Sequence, residues 1–207
     1  MELVLDQCSL VLVGSWNRAI FTPQWIAERL FHSEVKLEVA FGPALQVRHR
    51  CERADLILGP DRLQLRPLRP DDDAFAFVHE SALRALRQLP ETPMMALGMN
   101  YVFAVAPVHA SLAELAARTR AHLVTDGKRA PLQLRTSTAD THGAEINLRL
   151  DVELERAQAE VNFHTNVQSA SEAAAALERS PHDRLSPRAQ ALASAMLGDE
   201  SSKERPT

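Results

Sequence analysis

The chain has 207 residues, 45% of them hydrophobic, 24% charged and only 5% aromatic, with a formal net charge of −4. That composition is ordinary for a globular protein with a core of Leu, Val and Ala, in one domain or two small ones. It argues against binding nucleic acid through overall charge, since phosphate contacts need a concentrated basic surface. Two cysteines, Cys8 and Cys51, are too few for a disulfide framework or a four-cysteine zinc site. Both lie in apolar, strand-like stretches, where buried thiols are expected.

The N-terminal run from Met1 to Leu12 is apolar but carries Glu2 and Asp6. It lacks a basic n-region and a small-residue cleavage site, so the run is not expected to act as a signal peptide. No apolar run approaches the roughly 20 residues of a membrane span. The expectation is a cytoplasmic protein that engages no membrane.

Leu3–Val13 reads as a strand, broken by Gly14-Ser15-Trp16-Asn17-Arg18. Thr22 and Pro23 are an N-cap and first helical residue, opening a helix to Phe31. Four strands follow: Glu34–Phe41, Leu45–Arg50, Asp55–Leu58 and, after the turn Gly59-Pro60-Asp61, Arg62–Arg66. Asp71-Asp72-Asp73 then starts a helix to Leu89, where acidic residues complement the dipole. Phe75, Val78, Leu83 and Leu86 form its inner face.

Pro90 and Pro93 end that helix, and the order begins again. Met94–Val105 is a strand. Ser111, with Glu114 three residues on, forms a capping box for a helix to Arg120. Three strands follow at Leu132–Thr138, Glu145–Leu154 and Gln158–Val167. Ser169 or Ser171 caps the next helix, and Ser186-Pro187 opens a last one to Leu197. Leu192, Met196 and Leu197 share a face of that helix. Gly198–Thr207 is polar, and a disordered tail is the expectation there.

The expected fold is therefore α+β: a mainly antiparallel, curved sheet with helices on one face, organised as a duplicated β-α-β4-α unit. The domains run 1–90, 91–185 with three strands in place of four, a C-terminal helix at 186–197, and a tail at 198–207. This order resembles the duplicated TATA-binding-protein-like fold, a likeness of topology that transfers no function. The run from Leu10 to Pro23, LVLVGSWNRAIFTP, resembles the start of an uncharacterised bacterial protein family of scattered distribution. That resemblance implies a bacterial origin and no activity.

The last two long strands carry the sharpest functional pattern. Leu148, Leu150, Val152 and Leu154 alternate with Asn147, Arg149, Asp151 and Glu153; Val161 and Phe163 alternate with Asn162, His164 and Asn166. A hairpin turning at Arg156-Ala157 puts every apolar residue on one face. It sets Arg149 opposite His164, Asp151 opposite Asn162, and Asn147 opposite Asn166. Gln133, Arg135 and Ser137 join them from the preceding strand. A polar sheet face of this kind suits directional recognition. Gln46, Arg48, Arg50, Gln64 and Arg66 add a more basic patch from the first half. Trp16, Asn17 and Arg18 form a candidate contact loop, since an aromatic beside a guanidinium is a common interface anchor.

Catalytic signals are missing. The eight histidines form no zinc-spaced pair, and His79-Glu80 after three aspartates is the nearest approach to a metal site. Seven glycines include no phosphate-binding loop, and there is no G-x-S-x-G elbow. No catalytic residue, metal ligand or cofactor is assigned. The leading expectation is a non-catalytic interaction or assembly subunit that binds another protein or itself. Nucleic-acid binding through Arg48, Arg50, Arg66, Arg135 and Arg149 ranks second. An enzyme of unfamiliar class, using His164 or Asp151 between the halves, is the remaining alternative.

Overall fold

The computed structural model describes residues 1–40, 46–123, 132–139, 144–153 and 155–198. Its elements in chain order are β1 (Glu2–Leu3), β2 (Ser9–Gly14), α1 (Pro23–Trp25), β3 (Lys36–Ala40), β4 (Gln46–Arg50), β5 (Ala54–Leu58), β6 (Arg62–Pro67), α2 (Asp72–Gln88), β7 (Met94–Val105), α3 (Ala110–Leu123), β8 (Leu132–Ala139), β9 (Glu145–Val152), β10 (Ala157–Asn166), α4 (Ala170–Arg179) and α5 (His182–Leu197). The fold is α+β, with a mainly antiparallel sheet. Contacts divide it into two compact units. The first holds Leu5–Asn100 and His164–Leu185; the second holds Met1–Val4, Tyr101–Phe163 and Ser186–Thr207. Both units draw on chain from either side of residue 90.

In the first unit the strands run β3-β4-β5-β6-β2-β7. The register sets Leu10 against Leu65, Leu12 against Leu63, and Leu56 against Leu65. These five leucines share one face and are fully buried. Helix α2 packs on β2, β5 and β6. It starts where the acidic run predicts: the Asp71 carboxylate accepts the Ala74 N–H at 2.8 Å, and Asp72 and Asp73 occupy the first turn. Phe75, Val78, Leu83 and Leu86 are buried as the spacing requires. Phe77, His79 and Ser81 are buried too, because α4 and the segment Ile26–Phe31 also pack on this helix, with the Phe77 ring against Phe31 and His79 against the Leu177 carbonyl. Gly14 ends β2 where a β-carbon would lie 2.6 Å from the Pro93 carbonyl oxygen, so only glycine fits.

Three elements up to α3 depart from the sequence reading. Leu3–Val13 is not one strand: Leu5–Gln7 form a 3-10 turn, and Glu2 and Leu3 pair with Ala104 and Phe103 in the second unit. The polar pair Asp6-Gln7 interrupts the alternation a strand needs. Thr22 does cap α1, accepting the Trp25 N–H at 3.2 Å, but only one turn is α-helical. Ile26–Phe31 widen into a π-helix that ends at His32, in the left-handed region with φ 48°. Helix α3 begins before Ser111: the His109 ring accepts the Ser111 N–H at 3.4 Å, and the Glu114 carboxylate pairs with Arg118 at 2.5 Å. The capping box does not form.

In the second unit the order is β7-β10-β9-β8, with β1 on β7. Tyr101, Ile146, Leu150, Val152, Val161 and Phe163 are buried. Helix α5 starts at His182, ahead of the expected Ser186, and carries Pro187 inside it. Its buried stripe is Ala189, Ala193 and Leu197, while Leu192 and Met196 are only half-buried. Helix α3 packs on β8 and β9, burying Ala116 and leaving Leu115 45% exposed. No helix of the described residues is long and apolar enough to cross a membrane.

Three histidines of the first unit are buried: His49, His79 and His182. His79 Nε2 lies 3.1 Å from the Leu177 carbonyl oxygen, and the His182 ring stacks on Phe75 with centroids 4.5 Å apart. Burial pushes all three below the ordinary value of 6.5, outweighing Leu177 and nearby carboxylates at His79, and chiefly Asp72 at His182. The unfolded chain therefore binds protons first on acidification. Stability is fully present above 6.5 and falls as pH drops below it. The urea midpoint at about pH 5 is expected to lie below that at about pH 8. His79→Gln, which keeps a donor for the Leu177 carbonyl, should flatten that dependence; an unchanged slope would remove His79 as a contributor.

Candidate functional site

The second unit gathers a charged ladder on the polar side of its sheet. Strand β8 lies opposite β9 with Gln133 against Asp151, Arg135 against Arg149 and Ser137 against Asn147, on the polar face where the alternation puts them. Arg149 donates to Asp151 Oδ2 from Nε at 2.8 Å and Nη2 at 2.6 Å, and its Nη1 lies 3.1 Å from Glu160. Asn147 Nδ2 donates to Asn162 Oδ1 at 3.4 Å. The hydrogen bonds to Asp151 raise the Arg149 pKa against the opposing effect of burial. Asp151 Oδ1 is out of solvent with no hydrogen bond among the described residues. Strand β8 is open: every residue from Gln133 to Ala139 is exposed.

These contacts correct the expected partners. The Glu153 N–H donates to the Arg156 carbonyl at 2.8 Å, so Glu153 faces Arg156 and the strands are paired ahead of the expected Arg156-Ala157 turn. Arg149 therefore meets Glu160 and not His164, and Asn147 meets Asn162 and not Asn166. The displacement is even-numbered, so polar residues still face polar ones. His164 and Asn166 belong to the first unit, where His164 Nε2 is 3.1 Å from Asn166 Oδ1.

The contact loop is also corrected. Trp16 is only 5% exposed. Its Nε1–H donates to the Leu12 carbonyl at 3.1 Å, and its ring meets Phe21 edge-on, which in turn meets Trp25. This is a core anchor with its polar handle satisfied. Asn17 accepts the Ala19 N–H at 3.2 Å and caps a 3-10 turn; Arg18 is exposed. The loop offers a cap and a cation but no aromatic contact.

The basic patch of the first unit is tied up internally. Asp55, with a fully buried side chain, accepts from Arg50 Nε at 2.6 Å and Nη2 at 2.8 Å and from Arg66 Nη2 at 3.2 Å. Arg50 Nη1 also lies 3.0 Å from Glu38. Burial alone would raise the Asp55 pKa, but the two guanidiniums outweigh it and hold the carboxyl below its ordinary value. Two of the cations counted toward a nucleic-acid surface thus neutralise a buried carboxylate. A cleft of about 520 Å³ opens beside them, lined by Ser33, Lys36, Arg50, Cys51, Glu52 and Leu68. Cys8 and Cys51 are buried free thiols. Among the described residues no three His, Cys, Asp or Glu side chains gather as a metal would need.

Asp55 and Glu160 are the residues that sequence reasoning missed. Glu160 has the same strand parity as Asn162 and was legible once the turn was placed. Asp55 is a charge in an apolar strand, which demands a partner when buried. Comparison with protein-family models and with curated proteins finds no match.

Asp55→Asn would leave Arg50 and Arg66 facing a neutral amide in a largely buried site. A loss of about 3 kcal/mol in urea unfolding is expected. A loss within about 0.5 kcal/mol would mean that the arginines find other partners at little cost.

Proposed function

We propose that the chain is a non-catalytic interaction subunit that binds another protein through β8 and the adjoining polar face. One observation carries this reading: β8 is bonded to β9 along one edge, yet Gln133–Ala139 are exposed. An open strand edge offers backbone donors and acceptors to an incoming strand, and the side chains beside it supply specificity. The face is preorganised, because Arg149 is already held between Asp151 and Glu160. Little side-chain freedom remains to be lost there on binding. Arg135 makes no ion pair among the described residues and is exposed, so an acidic residue on the partner would meet it.

The test is a native mass spectrum of the protein purified gently from the cells that make it, followed by titration of the partner so identified. Arg135→Glu should weaken that complex about tenfold or more without lowering the unfolding midpoint, since the new carboxylate stands opposite Arg149. A complex of unchanged affinity would remove this face from the interaction.

A further inference from the structure

Natural sheets protect unpaired edges with short strands, lysines, prolines or bulges. Strand β3, the outer strand of the first unit, is protected in this way: it has 5 residues and carries Lys36 and Glu38. Strand β8 is not. It has 8 residues, LQLRTSTA, in unbroken register with β9 from Leu132–Val152 to Ala139–Glu145. It contains no proline, no lysine and one charge, Arg135. Leu134 is 44% exposed upon it. Such an edge is a template for another strand.

We infer that β8 pairs antiparallel with β8 of a second copy, about a two-fold axis at Thr136. The inference rests on the reading of β8 as an interaction strand and names its occupant. Directly opposed residues of an antiparallel pair project to the same face. A two-fold axis perpendicular to the sheet keeps each residue on its own face, so it must pass through a residue and its copy. At Thr136 it sets Arg135 opposite Ser137, Leu134 opposite Thr138 and Gln133 opposite Ala139. Each larger side chain meets a smaller one, threonine meets threonine, and no like charges stand directly opposed. An axis at Arg135 would set arginine against arginine. An axis at Leu134 leaves Ser137–Ala139 unpaired, and one at Ser137 leaves Leu132–Leu134 unpaired. Thr136 alone gives the longest pairing without that repulsion. It also covers Leu134 and brings two copies of α3, with its exposed Leu115, to the same side of the joined strands.

The experiment is sedimentation and native mass spectrometry of the full chain and of Thr136→Lys and Thr136→Glu. Thr136 is exposed, so both variants should keep the wild-type unfolding midpoint. Wild type should dimerise. Each variant alone places like charges across the axis and should weaken the dimer about tenfold or more. An equimolar mixture of the two should recover a dimer that is predominantly mixed. A wild-type monomer, a dimer indifferent to both substitutions, or a mixture that stays monomeric would each overturn the pairing. Titration of the heterologous partner separates the two readings. If wild type is monomeric but Arg135→Glu still weakens the partner complex, self-pairing fails and the interaction face stands. If the mixed dimer forms and the partner ignores Arg135→Glu, self-pairing stands and the heterologous reading fails.

Discussion

A strand covered on one side only must send every second residue to the core, and both units are organised by that constraint. In the first, Leu10, Leu12, Leu56, Leu63 and Leu65 take the covered side, beneath α2. In the second, Ile146, Leu150 and Val152 do the same on β9. With leucine in place of aromatics, burial is spread over many modest contributions of roughly 1.5–3 kcal/mol each. The residues between them are left on the other face, where charge and hydrogen bonding decide what neighbours what.

The two polar faces resolve this differently. In the first unit Asp55 is fully buried and is held by Arg50 and Arg66, with Glu38 behind Arg50. Charges from four adjacent strands are tied to one another, which leaves less of the patch for a ligand. In the second unit Arg149 has its own carboxylates, but the cluster is partly exposed and continues into an open strand. The same residue types make a structural clamp in one place and a presented surface in the other. The difference is how far the flanking strands cover them.

Local signals were the legible part. Strand β7 runs from Met94 to Val105 as its apolar run suggests, and Thr22, Asp71 and Ser169 cap helices with the oxygens that the sequence offers for it. Pairing was harder. Alternation along β9 and β10 fixes which face a residue takes, and that held for Asn147, Arg149 and Asn162. It does not fix the partner, because an even displacement costs nothing in pattern; only the Glu153–Arg156 turn does. Burial of Trp16 was illegible for another reason. Its cover comes from Phe21 and from the Leu12 carbonyl, and whether a tryptophan in a loop folds back on such neighbours is a tertiary matter. His109 displacing Ser111 as a cap is a similar case, since an imidazole nitrogen is a rarer acceptor there.

The placement of charge bears most directly on what the second unit does. If its polar face served solubility alone, the outermost strand would be the place for lysines, as β3 has Lys36 and Glu38. Instead the charges sit one and two strands inward, on β9 and β10, tied to one another. The strand that meets solvent is left almost neutral, threonine-rich and continuous. Charges held inward define a face and a direction without repelling an approaching strand, and a neutral edge leaves its backbone groups open to be paired. An edge arranged in that way is costly to leave bare, because it pairs indiscriminately. Its composition makes sense when a strand of defined pattern covers it, and the Arg135–Ser137 and Leu134–Thr138 spacings of β8 about Thr136 supply such a pattern from the chain itself.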